Sequence, residues 1–72
     1  MTKDEVKEQM LFNTPSIPIF DENKGLRIEA EIDIFNNHIQ YQIIDEKEPD
    51  VIQFFSYDVN KAIDMYFELL EE

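Results

Sequence analysis

Residues 26–44 read LRIEAEIDIFNNHIQYQII, and this stretch decides how the chain folds. From Leu26 to Phe35 apolar and polar residues alternate with a period of two, the repeat of a strand with one buried and one wet face rather than of a helix. Leu26, Ile28, Ala30, Ile32 and Ile34 fall on one face, and Arg27, Glu29, Glu31, Asp33 and Phe35 on the other. Asn36-Asn37 supplies a two-residue type I′ turn, because asparagine tolerates the positive φ that both central positions require. A turn there predicts that Phe35 faces His38, Ile34 faces Ile39, Asp33 faces Gln40, Ile32 faces Tyr41, Glu31 faces Gln42 and Ala30 faces Ile43. Apolar then meets apolar on one side and polar meets polar on the other. A slip of one residue would undo that match.

Working outward, DEKEPD (residues 45–50) is a charged connector containing Pro49. VIQFFS (51–56) reads as the next strand of a meander, and its adjacent phenylalanines must point to opposite faces, so one of Phe54 and Phe55 leaves the core. From about Asp58 to Glu71 the pattern changes to a helix. Val59, Ala62, Ile63, Tyr66 and Leu70 form one stripe flanked by Phe67 and Leu69, Met65 lies on its margin, and Asn60, Asp64, Glu68 and Glu71 face water. Asp58, or Ser56, caps its start. Its last turn carries Glu68, Glu71 and Glu72, where the helix dipole favours cations, at a local cost of a few tenths of a kcal/mol. Upstream, Thr2 and Glu5 form a capping-box pair that opens a short helix to about Phe12. Asn13-Thr14-Pro15 ends it. Ser16 to Phe20 is an edge strand or extended arm, since Pro18 lacks the ladder donor, and Asp21 to Gly25 turns the chain with its one glycine. The predicted fold is α+β: a three- to four-stranded antiparallel meander with an amphipathic C-terminal helix on one face and a short N-terminal helix. It forms one domain over residues 1–72, divided into helix and linker (1–15), sheet (16–56) and helix (57–72).

Composition narrows the function. Seventy-two residues build one small core with little margin of stability. There is no cysteine, hence no disulfide framework and no thiolate metal site. No apolar run is long enough to span a bilayer, and the first ten residues lack the pattern of a signal peptide, so a soluble cytoplasmic protein is expected. Seventeen acidic residues against six basic give a net charge of −11, which opposes folding through self-repulsion. Such a chain is repelled by nucleic acid and by anionic membranes. If charge drives its function, the partner is a basic protein surface.

Two surfaces are candidates for that function. Glu29, Glu31 and Asp33 point the same way at intervals of roughly 6.8 Å, against about 3.4 Å between phosphates along one DNA strand. Extended by Asp45, Glu46, Glu48 and Asp50 and interleaved with Gln40 and Gln42, the row suits a groove built for a nucleic-acid backbone. The commoner reading of such a strand is the solvated face of an antiparallel sheet, and the charge of the whole chain narrows that preference without reversing it. The second candidate is apolar: Phe35, Ile44 and one of Phe54 and Phe55 lie on the polar side of the sheet, the arrangement of an interface core inside a charged rim. Either a partner covers them, or the N-terminal helix does with Val6, Met10 and Phe12, or a second copy does. Catalysis has no comparable signal. His38, the one histidine, sits beside the hairpin turn, and Ser16 and Ser56 are far from it in sequence. DENKGLRIEAEI has glycine at the fifth place and isoleucine where an EF-hand needs its bidentate glutamate. No catalytic residue, metal or cofactor is expected.

The join VIQFFSYDVNKAIDMYFELL resembles the ends of small uncharacterised acidic proteins of bacteriophages and mobile elements over about twenty residues. The resemblance implies an accessory protein, a class that includes small acidic inhibitors of host nucleic-acid enzymes, and it assigns no residue. The sequence therefore predicts a non-catalytic binder of a basic surface, a nucleic-acid mimic that blocks a DNA- or RNA-binding protein. Glu29, Glu31, Asp33, Gln40 and Gln42 would supply polar contacts, Asp45, Glu46, Glu48 and Asp50 would extend them, and Phe35 with Phe55 would anchor them. The alternative is an assembly module that dimerises or joins a complex through its apolar patch, its charge serving solubility.

Overall fold

The computed structural model describes residues 2–12 and 18–72. It is an α+β fold in the order α1 (Lys3–Phe12), β1 (Ile19–Asp21), β2 (Leu26–Asp33), β3 (His38–Asp45), β4 (Ile52–Ser56) and α2 (Val59–Glu71). The strands form one antiparallel sheet in the order β1-β2-β3-β4, each beside its neighbour in sequence. The expected break at Asn13-Thr14-Pro15, the start of the strand at Ser16-Ile17 and the side chain of Phe12 lie outside the described residues.

Both helices start where their caps place them. The Thr2 hydroxyl accepts from the Glu5 amide at 3.2 Å, and the Glu5 carboxylate accepts from the Thr2 amide at 3.0 Å, a reciprocal box. These bonds to Thr2 hold the Glu5 carboxyl below its ordinary value. Asp58 caps α2, accepting from the amides of Asn60 at 2.9 Å and Lys61 at 3.4 Å. Gly25, at φ +69°, turns β1 into β2.

The main core cluster lies on the face of the sheet that the helices cover. Leu26 and Ile28 of β2, with Tyr41 and Ile43 of β3, meet Ala62, Ile63 and Tyr66 of α2. Val6 and Met10 of α1 join that same cluster. Of the three ways of covering the opposite face, this removes the one by α1: Val6 and Met10 lie one helical turn apart, and that stripe packs beside α2, where apolar surface is already gathered. The Tyr66 hydroxyl donates to the Leu26 carbonyl at 3.2 Å and lies 3.5 Å from that of Ile19, tying α2 to the first two strands. Burial, with help from the Asp21 carboxylate, pushes the Tyr66 phenol up to about 12. A group whose ionisation folding opposes withdraws stability once the unfolded chain can ionise it. Alkaline unfolding followed by circular dichroism should therefore show a loss of stability from pH about 10 to about 12. Tyr66→Phe should abolish that part of the loss, at about 1 kcal/mol of stability at neutral pH for the missing hydrogen bond.

The hairpin register differs from the predicted one by two residues. Asp33 pairs with His38, Ile32 with Ile39, Glu31 with Gln40, Ala30 with Tyr41, Glu29 with Gln42 and Ile28 with Ile43. Four residues, Ile34 to Asn37, form the connection instead of Asn36-Asn37 alone. A type I′ turn needs positive φ twice, and only Asn37 has it, at 56°. The Asp33 carboxylate closes the larger loop, accepting from the amides of Phe35 at 3.1 Å and Asn36 at 3.3 Å and from the Asn36 side chain at 2.8 Å. Because the shift is even, every strand residue keeps its predicted face. The gain is in packing, for Ile28 now opposes Ile43 and the small Ala30 opposes Tyr41.

Candidate binding surface

The sheet places the predicted residues in three separate environments. The first is the open face, opposite the helices. Arg27, Glu29 and Glu31 of β2, Gln40, Gln42 and Ile44 of β3, Phe20 of β1 and Ile52 and Phe55 of β4 share this side by their pairing. Phe54 turns to the helices and packs on the core, while Phe55 is 55 % exposed. Ile44 is on the open face as expected but buried, paired with Arg27 on one side and Ile52 on the other.

On this face the carboxylate row is not the free row that sequence spacing implied. Glu29 Oε1 accepts from Gln42 Nε2 at 2.7 Å, and Gln40 Nε2 donates on to Gln42 Oε1 at 3.3 Å. The Arg27 guanidinium bridges Glu29, Nε to Oε2 at 3.4 Å, and Glu46, Nη1 to Oε1 at 2.5 Å. The Nε contact with Glu29 is Coulombic, since this buried Nε is not aligned for a hydrogen bond. Asp33 is committed to the turn, and its bonds, that of the Asn36 side chain foremost, hold its carboxyl below the ordinary value. Its stabilising effect is present above the ordinary aspartate value and is lost as pH falls through the lowered one. Of the three strand carboxylates only Glu31 is exposed and without a side-chain partner among the described residues. The three therefore do not form an evenly presented row of unbonded carboxylates. The cause was legible: Arg27 stands two residues before Glu29 on the same face.

The second environment is the turn after β3. Asp45 accepts from the Lys47 amide at 2.9 Å, Glu48 donates its amide to the Asp45 carbonyl at 2.9 Å, and Val51 donates to Glu48 at 3.1 Å. These bonds fix a compact loop from which Glu48 and Asp50 project into water, while Glu46 turns back to Arg27.

The third environment is at the opposite end of the hairpin. The last pair between β3 and β4 is Tyr41 with Ser56, after which the chain turns back as α2. The pairs Glu31:Gln40, Ile32:Ile39 and Asp33:His38 therefore overhang the rest of the sheet by roughly 10 Å. Past the helix, residues that the alternation assigns to the core are exposed. Ile32 and Ile39 are about half exposed and Ile34 is 78 % exposed, and Phe35, which the alternation assigns to the opposite face, is 94 % exposed. Ile32, Ile34 and Phe35, with Glu31, Asp33 and Gln40, line an open groove of about 380 Å³. Phe35 was expected opposite His38. It sits instead in the turn, and His38 places its ring 5.5 Å from that of Tyr57. Phe35 and the 45–50 loop stand at opposite ends of β3, roughly 24 Å apart at strand rise, so they do not form one patch.

Sequence reasoning missed Ile32, Ile34 and Ile39 as surface residues. The signal was in the lengths, because a strand of five residues and a helix returning from its end cannot cover a hairpin with arms of eight. Among the described residues, no group of three or more histidine, aspartate or glutamate side chains is placed to hold a metal ion, and no helix is long and apolar enough to cross a membrane. Compared with protein-family models, with curated proteins and with solved structures, the chain matches none.

Proposed function

We propose that this chain is a non-catalytic acidic binding protein that occupies a basic protein surface, of the kind that holds DNA or RNA, and so inhibits it. The observation that carries the reading is the overhanging end of the hairpin. Ile34 and Phe35 are offered to solvent beside Glu31, which has no side-chain partner among the described residues, on a chain of net charge −11. An exposed aromatic and aliphatic anchor within a field of one sign fits a partner site with an apolar floor and a cationic rim. Specificity then comes from the arm, and the remaining acidic residues, Glu48 and Asp50 among them, contribute steering at long range. A bacteriophage or mobile-element origin, as the C-terminal resemblance implies, accords with such an inhibitor acting in the host cytoplasm.

The test is capture of partners from a bacterial lysate on immobilised protein, challenged with duplex DNA, with RNA and with salt. A basic nucleic-acid-binding protein should be retained and then released by nucleic acid and by raised ionic strength, because an exposed electrostatic complex is screened within about 10 Å at 0.1 M salt. A retained partner indifferent to all three would overturn the reading. A second reading, an assembly module, draws on the open face, where Phe20, Ile52 and Phe55 are exposed around the Arg27 ion pairs. It predicts recovery of the chain itself, or of a partner held regardless of salt.

A further inference from the structure

The sheet has two outer strands, and they differ in how they are guarded against pairing. β1, as described, has three residues, ends in Asp21 and follows Pro18, features that block strand addition. β4 has five residues, Ile52-Gln53-Phe54-Phe55-Ser56, with neither a charge nor a proline, in a chain that is 32 % charged. Among the described residues no strand lies beyond it. In an antiparallel ladder alternate residues turn both backbone groups away from their partner strand, so two or three residues of β4 present an unpaired N–H and C=O outward. The side chains along this edge are open as well: Ile52, Gln53 and Phe55 are all exposed. The one irregularity, a register shift at Ile43/Ile44, lies towards the Ile52 end and leaves Phe54 to Ser56 regular.

We infer that β4 is a docking edge for an extended segment of another protein, a strand with alternate apolar residues and basic ends. Charge selects this occupant over a second copy. Asp50 and Asp58 flank the strand, and Glu48 lies in the preceding turn, where Glu46 is paired with Arg27 and Lys47 is the one cation. Two copies of β4 paired antiparallel about Phe54 would set Asp50 against Asp58 at both ends and bring together two chains of charge −11. A strand ending in arginine or lysine reverses the sign of every one of these contacts. Its apolar residues on the open face extend the row of Ile52 and Phe55, while the backbone ladder supplies affinity. The inference shares the negative field with the proposed function but not the hairpin arm.

The probe is a blocked peptide of alternating valine and threonine between arginine pairs, titrated into the isotope-labelled full chain while amide hydrogen exchange is read residue by residue. Saturable binding should slow exchange at alternate amides of Ile52–Ser56 and weaken with salt. The double variant Gln53→Lys/Phe55→Lys, which changes only exposed side chains and is checked for folding by thermal melting, should bind at least about tenfold more weakly, since it places like charge opposite the probe. Phe35→Ala should bind it unchanged, which separates this edge from the arm. No binding, slowed exchange on the hairpin tip in place of β4, or full binding by the lysine variant would overturn the inference. Equal binding of a peptide with glutamates for the arginines, or concentration-dependent slowing of β4 without any peptide, would overturn the stated occupant.

Discussion

Ile43→Ala should bring this protein to the edge of unfolding, whereas Ile34→Ala should leave its stability unchanged. The alternation assigns both isoleucines to the same face of the hairpin, so the contrast isolates where the core ends. Ile43 is fully buried on the inner strand β3, opposite the equally buried Ile28 and in one core cluster with Ala62 and Ile63. Its truncation removes transfer energy and leaves a cavity that flanking β-branched residues cannot fill, at about 2–5 kcal/mol. A domain of this size holds only about 4–11 kcal/mol in all. Ile34 is 78 % exposed, and surface changes of this kind stay within about 0.5 kcal/mol. Urea unfolding of the two variants gives the answer directly. Equal midpoints would mean that the core extends to the hairpin tip and that the overhang is an incorrect description.

That contrast also shows what could be read from residues alone. Period-two alternation identified β2 and β3 and the face of each of their residues, because a face depends only on whether a position is odd or even. Register depends on the turn. There the side chain of Asp33 outweighed the intrinsic preference of Asn36-Asn37 by capturing two backbone amides, a competition that pattern does not weigh. The caps at Thr2 and Asp58 were legible because capping is local in sequence. The docking of α1 was not, since the short Val6/Met10 stripe can lie against either side of a sheet and only tertiary packing chooses. The acidic row was read correctly as to face and misread as to freedom. Carboxylates that share a face with an arginine and a glutamine become a bonded network, and Glu29 is held in one.

Replacing Phe35 by alanine should weaken partner binding by at least about 2 kcal/mol, roughly thirtyfold, while leaving the fold intact. The side chain is 94 % exposed and contributes little to the folded state, so any large effect arises in the complex. Buried aromatic anchors act mainly by slowing dissociation, and the loss should fall on koff. The glutamates provide the complementary measurement. Glu29→Gln and Glu31→Gln each move the net charge from −11 to −10, so both change the long-range field almost equally and lower kon by a similar small factor. They differ locally. Glu29 already faces Arg27, which it shares with Glu46, and is bonded to Gln42, whereas Glu31, with no side-chain partner among the described residues, can meet a cation beside Ile34 and Phe35. Glu31→Gln should therefore add a loss in koff that Glu29→Gln lacks, most visible at low ionic strength. Equal behaviour of the two would mean that charge acts only as a diffuse field. If Phe35→Ala binds as tightly as the parent, the hairpin arm is not the anchor, and the open face carrying Phe20 and Phe55 takes its place as the surface to mutate.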